Sequence, residues 1–420
     1  MKITLTLVLI AFITFVKGNV SILRLSSNNT AYLVLHGVAK QILDEDTISS
    51  FGFKPDSLKT LSEEELKNMR HGPPIALIKA NDGSADEMTR VAILKSLAVM
   101  GDIVREIEHI GEYTNPSVFK FQGRSLLVTG SNNGRANSKT TRQGLLEFRW
   151  FNTSRHSFRS ADKYLGIVTT EVEQLTDAVL GEDPRVVMLG HDRFQVYFVN
   201  PFVPVTRIGM MEVALNHVSH QVEVVKAFKT IIPVEQSNIR HKNWTPFVHR
   251  VNGTEEVYIV QQVNPLLVVK PTVHGDGEMY ADVISMDAAA NIDWPYGLIR
   301  GGTNSILLPS RNAYLSFFHS KGLVPGGSMN TYFMGAYTFS AHAPFRLLSI
   351  SAMPIMPWHF YTGAWSPMKN ARIDYCLFPT HIYLEHADIV VTAGFQDQSG
   401  YTMRIALTSI LDTLVPVTSK

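Results

Sequence analysis

Cysteine is almost absent from this sequence, because Cys376 is the only one in 420 residues. An intrachain disulfide and metal sites built on cysteine pairs are therefore excluded. A chain of this length without disulfides must be stabilised by packing, and this favours a large fold over a small cross-linked scaffold.

The sequence also lacks an excess of charge of either sign. Lys and Arg number 38 and Asp and Glu number 37, which gives a formal net charge of +1. A protein that binds the phosphate backbone of nucleic acids needs a basic excess or a basic stripe. We therefore predict no nucleic-acid partner.

Long apolar runs are missing as well. A helix that spans a membrane needs about 20 apolar residues, and no segment reaches that length without glycine, proline or charge. The uncharged run from Ile3 to Val16 lies between Lys2 and Lys17-Gly18. This arrangement is typical of a secretory signal peptide that is cleaved after a small residue. We predict a signal peptide over residues 1–18, no membrane span after its cleavage, and a secreted or secretory-pathway protein. An uncleaved anchor is the alternative.

Five tripeptides match the acceptor pattern for N-glycosylation and agree with secretion. They begin at Asn19, Asn28, Asn152, Asn243 and Asn252. We therefore predict a glycoprotein.

Motifs for metals and nucleotides are not found. His217 and His220 have a spacing that can bind metal on a helix, but no carboxylates complete a site. Gly301-Gly302 lacks the Lys-Ser/Thr continuation of a phosphate-binding loop. We predict neither a metal nor a cofactor.

Hydrophobic residues make up 45% of the chain and charged residues 18%, which is enough for a large core. The N-terminal part has helical periodicity. Ser62-Glu63-Glu64-Glu65 and Ser84-Ala85-Asp86-Glu87 are capping boxes. Apolar residues three or four apart follow the second box, as on one buried helix face: Met88, Val91, Leu94, Leu97, Met100, Val104, Ile107 and Ile110. We predict a helical extension over residues 19–112.

From about residue 115 the pattern changes to short strands separated by glycine, proline, asparagine and aspartate. The predicted strands include Ser125 to Thr129, Val186 to Leu189, Gln195 to Val199, Glu256 to Gln261, Ser305 to Leu308, Ala313 to Phe318 and Ile389 to Thr392. About 300 residues without interleaved helices exclude a doubly wound α/β fold and suit a large antiparallel assembly such as a β-propeller. This length would make five blades of roughly 60 residues, and the choice of five depends on the resemblance described next.

Several short strings occur in a fixed order along this strand-rich part. They are Asn115-Pro116-Ser117, Glu182-Asp183-Pro184-Arg185, Lys242-Asn243-Trp244, Arg300-Gly301-Gly302-Thr303, Phe317-Phe318-His319, Tyr332-Phe333-Met334-Gly335-Ala336 with Pro344, Pro354-Ile355, Leu377-Phe378-Pro379 and Gly394-Phe395-Gln396-Asp397. In this order the chain resembles glycoside hydrolase family 130 and the related glycosyltransferase family 108, over residues 115 to about 410. The resemblance implies a mainly β protein, a five-bladed β-propeller over residues 113–420, acting on β-mannosides by phosphorolysis, hydrolysis or transfer.

The resemblance implies that Asp183 is the proton donor, acting through a sugar hydroxyl. Glycosidic cleavage needs protonation of the leaving oxygen, and a carboxyl group can supply that proton if its surroundings raise its pKa. The alternative is that Asp183 caps a turn before Pro184 and pairs with Arg185.

Other residues match positions that line the family's sugar and phosphate pocket. Arg300 stands where the family has a lysine that contacts phosphate, and arginine can bind an anion through two nitrogens. Asn243 also begins a glycosylation tripeptide, and a glycan there would block a pocket role. The complete predicted binding set is Asn115, Ser117, Arg185, Lys242, Asn243, Arg300, His319, Tyr332 and Asp397.

Two departures weaken a phosphate site. Gly130 and Val263-Asn264-Pro265 stand where the family phosphorylases have arginines. A phosphate dianion needs charge-assisted donors. Hydrolysis would instead need a carboxylate base, and no single residue identifies itself as that base.

These observations together predict a secreted carbohydrate-active protein, a glycosidase or glycosyltransferase with a glycan or sugar substrate. The alternatives are a propeller that binds carbohydrate without catalysis and a propeller that binds a partner protein.

Overall fold

The fold was analysed in a computed structural model of the chain, in which strands dominate. The described residues are 20–27, 30–35, 38–42, 58–68, 70–75, 103–111, 113–121, 123–130, 146–151, 164–165, 167–168, 181–200, 205–216, 221–228, 230–233, 240–292, 294, 296–323, 330–351, 354–355, 373–395 and 399–419.

The N-terminal part contains a sheet, and the prediction of a helical extension is wrong for its described residues. Its elements are β1 (Val20–Leu25), β2 (Ala31–Leu35), β3 (Val38–Ile42), β4 (Lys59–Leu61), helix α1 (Glu63–Lys67) and β5 (Arg70–Ile75). The sheet order is β4-β1-β2-β3-β5. The central strands β1 and β2 are short and rich in β-branched and other apolar residues, which suits a sheet.

One local prediction in this region is confirmed. The Ser62 hydroxyl accepts a hydrogen bond from the Glu65 backbone N–H at 3.2 Å, and the Glu65 carboxylate accepts one from the Ser62 N–H at 2.9 Å. This capping box starts α1, whose five residues make a single turn. The second box at Ser84 and the apolar residues from Met88 to Met100 lie outside the described residues.

The end of the predicted helical stripe is a strand, β6 (Val104–Gly111), which pairs antiparallel with a strand near the C-terminus. Ile107 packs against the core of the last blades, while Ile110 packs against Val118 and Leu127 of the first blade. These two apolar residues contact two different clusters, so the apolar residues of the strand do not alternate, and their spacing imitates that of a helix. The ring therefore begins before the predicted boundary at residue 113.

Antiparallel sheets follow one another from residue 117 onward, and each is one blade. Blade 1 contains β7 (Ser117–Phe121), β8 (Arg124–Gly130), β9 (Leu146–Phe151) and β10 (Tyr164–Leu165). Blade 2 has β11 (Ile167–Val168) at its outer edge and contains β12 (Glu182–Leu189), β13 (Arg193–Asn200), β14 (Arg207–Asn216) and β15 (Gln221–Phe228). Blade 3 has β16 (Ile231–Pro233) at its edge and contains β17 (Thr245–Val251), β18 (Thr254–Gln262), β19 (Leu266–Val273) and β20 (Met279–Asp287).

The last two blades are joined by a short parallel strand pair. After β21 (Ala290–Asn291), blade 4 contains β22 (Leu298–Gly301), β23 (Ile306–Leu308), β24 (Ala313–Leu323), β25 (Asn330–Ser340) and β26 (Leu347–Ser351), with a 3-10 turn at Pro309–Arg311. Blade 5 contains β27 (Ile373–Glu385), β28 (Asp388–Phe395), β29 (Ser399–Ala406) and β6. The chain ends with helix α2 (Leu407–Thr413), β30 (Leu414–Pro416) and β31 (Thr418–Ser419).

The five blades close into a ring, so the predicted five-bladed β-propeller is confirmed. The innermost strands of neighbouring blades contact one another, and blade 5 contacts blade 1 through β27 and β7. Side chains link the blades: the Thr380 hydroxyl donates to the Pro116 carbonyl, and the Asn304 amide exchanges two hydrogen bonds with the Ile382 backbone, at 3.1 and 2.8 Å. A ring closed by its first strand has no open end between blades.

Apolar layers between the blades form the core. One cluster lies between blades 1 and 2 and includes Phe119, Phe148 and Phe194, and another joins blades 2 and 3 around Tyr197 and Trp244. Within the described part of the chain, no helix is both long and apolar enough to cross a membrane.

Candidate functional site

The candidate site lies where the innermost strands begin, and the same local structure recurs there in three blades. Asn115, Asp183 and Asn243 have φ angles of 45°, 51° and 64°, in the left-handed region. Asn and Asp tolerate this conformation better than other residues with side chains, because their short polar chains bond locally. Two positions after each of these residues comes a buried polar residue: Ser117, Arg185 and Thr245. Blades 4 and 5 have buried threonines at the equivalent places, Thr303 and Thr380, two positions after Gly301 and Phe378. This repeat was readable in the sequence and was missed.

Asp183 and Asn115 are brought together from neighbouring blades. The Asn115 Nδ2 donates a hydrogen bond to the Asp183 Oδ1 at 2.7 Å. Asp183 is half-buried and lies at a bulge, since the pairing of β12 with β13 shifts between Glu182 and Arg185. Bulges re-aim a side chain away from the regular alternation of a strand. The carboxyl group is thereby fixed at the end of the ring through one of its two oxygens.

Gly394 holds Asn115 in place from the other side. A Cβ atom at Gly394 would overlap the Asn115 Oδ1 and would lie only 2.8 Å from its backbone N and 2.9 Å from its Cα. Only glycine therefore permits this approach of blade 5 to blade 1. The string from Gly394 to Asp397 was part of the resemblance, but this positioning role of the glycine was not predicted. Asp397 itself lies outside the described residues.

Arg185 is a buried cation, with 1% of its surface exposed. Its Nε donates to the Gly302 carbonyl at 2.5 Å and one terminal nitrogen donates to the Asp183 carbonyl at 3.0 Å. The other terminal nitrogen has no hydrogen-bond partner among the described residues. Burial lowers its pKa to about 10, partly opposed by the nearby Asp183 charge, so the guanidinium remains charged at neutral pH. Arg185 thus joins blades 2 and 4 and fixes the backbone of Asp183.

His319 lies in an aromatic stack, 2% exposed. Its ring centroid is 5.4 Å from that of Tyr332 and 4.6 Å from that of Phe378. Burial, together with the charges of Arg185 and Arg300, lowers the pKa of His319 to about 3, so the imidazole is neutral at neutral pH. Arg300 is exposed and pairs with His319 across β22 and β24. The Nδ1 of His319 has no hydrogen-bond partner among the residues that the structure describes.

Lys242 and Asn243 begin the innermost strand of blade 3. The Lys242 ammonium is 3.9 Å from the Glu182 carboxylate of blade 2, and both side chains are partly exposed. Asn243 is buried, with 7% of its surface exposed. A side chain at Gly301 would overlap its carbonyl oxygen, so blades 3 and 4 approach closely here.

Ser117 is fully buried, and its hydroxyl donates to the Pro184 carbonyl at 2.5 Å. It therefore links blades 1 and 2 at the base of the Asn115–Asp183 pair. The structure thus gathers Asn115, Asp183 and Arg185 into one hydrogen-bonded group, and His319 lies near enough to Arg185 and Arg300 for their charges to lower its pKa. Over the described ranges, no group of three or more His, Cys, Asp or Glu side chains is arranged to hold a metal ion.

The two departures from the expected pattern lie at the same end of the ring. Gly130 ends β8 and Asn264 lies just after β18, so each lies where the second strand of a blade returns to the site end. Asn264 is exposed and uncharged. Uncharged residues therefore stand at this end where the resemblance implies arginines.

Comparisons with known proteins were made by sequence and by structure. No protein-family model and no curated protein matches the chain. A β-1,2-mannobiose phosphorylase from Listeria innocua is 14% identical, with a TM-score of 0.42, and the match covers 74% of this chain and 93% of that chain. MPT-4, a mannose phosphorylase from Leishmania mexicana, is 11% identical, with a TM-score of 0.43 and coverage of 75% and 92%.

A third similar structure comes from a description of the GH130 family of mannoside phosphorylases as containing glycoside hydrolases that target β-1,2 mannosidic linkages in Candida mannan. It is 13% identical to this chain, with a TM-score of 0.46, and the match covers 74% of this chain and 87% of that one. The five-bladed ring described above is established independently by the strand pairing of this chain.

Proposed function

We propose that the chain is a carbohydrate-active enzyme that cleaves or transfers β-mannoside-like glycans, with Asp183 as its general acid. The observation that carries this proposal is the Asn115–Asp183 hydrogen bond, 2.7 Å long, at the end of the ring. It fixes a carboxyl group among the residues that carry the sequence resemblance, although those residues are far apart in the chain. A fixed carboxyl group in a polar cleft is what glycosidic cleavage requires.

The chemistry of the carboxyl group follows from its contacts. Asn115 occupies Oδ1, so Oδ2 is the oxygen that carries the proton to the leaving group. Arg185 bonds the Asp183 backbone carbonyl and so fixes the left-handed conformation from which the side chain projects. Both contacts keep the acid in one orientation, and orientation accounts for a large part of enzymatic rate enhancement.

Water or a sugar hydroxyl is proposed as the acceptor, in preference to inorganic phosphate. Phosphate binding needs several charge-assisted donors. His319 is neutral, and Gly130 and Asn264 carry no charge where the resemblance implies arginines. The exposed Arg300 is assigned to substrate binding, because its guanidinium can form two parallel hydrogen bonds.

One contact favours a second candidate, a propeller that binds glycans without catalysis. The Asn115 amide uses the Asp183 carboxyl group as a hydrogen-bond acceptor, and a carboxylate that binds sugar hydroxyls has the same role. Asp183 would then serve as an acceptor for sugar hydroxyls and would donate no proton.

We also propose that the protein acts in the secretory pathway or outside the cell. The support is the uncharged segment between Lys2 and Lys17, which has the length and flanking charge of a signal peptide.

The test is turnover of a substrate panel by the full chain and by Asp183→Asn. The panel comprises aryl glycosides, sugar phosphates and nucleotide sugars, with products detected by mass. Asparagine keeps the shape of aspartate but cannot donate a carboxylic proton, so the rate should fall by at least about 10²–10⁴-fold while sugar binding persists. Asp192→Asn is the matched control, because Asp192 lies exposed just beyond the other end of strand β12 and should leave turnover unchanged.

Two outcomes would contradict the proposal. Full activity of Asp183→Asn would exclude Asp183 as the acid, and unfolding of this variant would make Asp183 a structural turn residue. Glycan binding by the wild type without turnover of any panel member would favour the binding protein.

A further inference from the structure

Strand β17 carries a glycosylation tripeptide at each of its two ends. Asn243-Trp244-Thr245 precedes and opens the strand, and Asn252-Gly253-Thr254 follows it. The sequence pattern is equivalent at both, since each has asparagine, a residue other than proline, and threonine. The structure distinguishes them.

The first tripeptide is part of the interior. Asn243, Trp244 and Thr245 are all buried. The Thr245 hydroxyl donates to the Val260 carbonyl at 3.3 Å. An attached glycan needs an accessible side-chain amide, and Asn243 is 7% exposed, so a glycosylated Asn243 is incompatible with the packed ring.

The second tripeptide is the tip of a hairpin. Asn252 and Gly253 have φ angles of 51° and 82°, and Val251 pairs with Thr254 around them. Left-handed angles at both positions are those of a two-residue turn that matches the twist of its strands. Asn252, Gly253 and Thr254 are all exposed.

The direction of the strand separates this tip from the candidate site. Strand β17 starts at the site end of the ring with Thr245 and ends at Val251, so the tip lies on the opposite face. The neighbouring hairpin tip of blade 2 lies beside it, because the Gly190 N–H donates to the Glu255 carboxylate at 3.2 Å. A large group on Asn252 would therefore leave the candidate site unobstructed.

We propose that Asn252 is an N-glycosylation site that carries a glycan on the face opposite the candidate site. This rests on entry of the chain into the secretory pathway, proposed above, and is independent of catalysis. The donor is a lipid pyrophosphate-linked oligosaccharide. A bond forms between the Asn252 Nδ2 and the anomeric carbon, Nδ2 loses a proton, and the bond from that carbon to the pyrophosphate oxygen breaks, releasing the lipid pyrophosphate.

The test is expression of the full chain with its own N-terminus in a eukaryotic secretory host. Glycopeptides are mapped after enzymatic deglycosylation in heavy-oxygen water, which marks each occupied asparagine as a labelled aspartate. We expect the label at Asn252 and none at Asn243. Asn252→Gln and Thr254→Ala should each increase electrophoretic mobility by the equivalent of one glycan. Thr254→Ala removes the acceptor pattern while it keeps the asparagine and its turn conformation.

Asn312→Gln is the matched control, since Asn312 is also exposed, with a φ angle of 50°, but is followed by Ala313-Tyr314. Its glycan pattern should equal that of the wild type. Label at other tripeptides with none at Asn252 would overturn this site while leaving secretion intact. A chain that carries no glycan at any tripeptide would overturn both the site and the proposed secretion, whatever its enzymatic activity.

Discussion

Acidification should destabilise this protein well before its carboxylates are protonated, because it buries neutral histidines. His381 is 4% exposed, and its Nδ1 has no hydrogen-bond partner among the described residues. Burial lowers its pKa to about 3. In His319 burial and two nearby guanidinium groups have the same effect, with a pKa of about 3. The pKa of His249 is also lowered, first by burial.

The direction follows from the difference in proton binding between the two states. Below the unfolded pKa of 6.5 the unfolded chain binds a proton at each of these histidines, while the folded chain binds none until about pH 3. Stability is therefore complete above pH 6.5 and falls as pH decreases. Between about pH 6 and about pH 5 each histidine should lower the free energy of unfolding by about 1.2 kcal/mol, or about 2.4 kcal/mol for His319 and His381 together.

Between about pH 6 and about pH 5 the histidines affect stability and the acidic groups do not. The pKa of Glu385 is lowered by hydrogen bonds from Arg404 and Lys120 in spite of its burial, and that of Glu256 by a hydrogen bond from Lys270. A carboxylate with a lowered pKa contributes stability that is lost only below its unfolded value of 4.5. A loss of stability above pH 5 therefore comes from the histidines.

The assay is denaturant unfolding at pH 7, 6 and 5, compared with potentiometric proton uptake on unfolding. In His381→Gln the decrease in the free energy of unfolding between about pH 6 and about pH 5 should be smaller than in the wild type by about 1.2 kcal/mol. This holds whatever absolute stability the variant loses through altered packing. His191→Gln is the control, since His191 lies exposed in a hairpin turn, and its slope should equal that of the wild type. An unchanged slope in His381→Gln would refute the argument that this histidine is buried uncharged.

Three further predictions concern the ring and its site. Gly394→Ala forces a Cβ against Asn115, so it should lower the free energy of unfolding by about 1–3 kcal/mol and reduce turnover. Denaturation and steady-state kinetics measure the two effects, and unchanged values for both would contradict the close approach of blades 5 and 1. Arg300→Ala should raise KM with little change in melting temperature, because its exposed guanidinium is assigned to substrate and not to packing; an unchanged KM would remove it from the site. Arg404→Gln should lower the free energy of unfolding by about 0.5–1 kcal/mol, and by less at high salt, since its partly exposed guanidinium bonds the carboxylates of Glu106 in β6 at 3.3 Å and of Glu385 in β27 at 2.5 Å. A loss that does not depend on salt would contradict this ionic origin.

The sequence by itself determined the local structure of the strand-rich part. Apolar residues bounded by turn residues predicted strands such as Ser125 to Thr129 and Gln195 to Val199, and the structure has the strands Arg124–Gly130 and Arg193–Asn200 there. The capping box at Ser62 was also correct. These features depend on residues within a few positions of one another, so local chemistry specifies them.

The N-terminal prediction failed where local pattern and tertiary packing differ. Val104, Ile107 and Ile110 have helical spacing, but they form strand β6, which pairs with β29 and contacts two different apolar clusters. Neither the partner strand nor the two clusters are visible in a window of this length. Apolar spacing over a short segment does not by itself distinguish a helix from a strand.

Only the tertiary structure decided which candidate residues act together. Asn115 and Asp183 are 68 residues apart and meet because ring closure brings the starts of neighbouring inner strands together. Two glycosylation tripeptides with equivalent sequence patterns differ only in which end of strand β17 each one occupies. Contact and burial result from the packing of blades against one another, and residue type alone does not fix them.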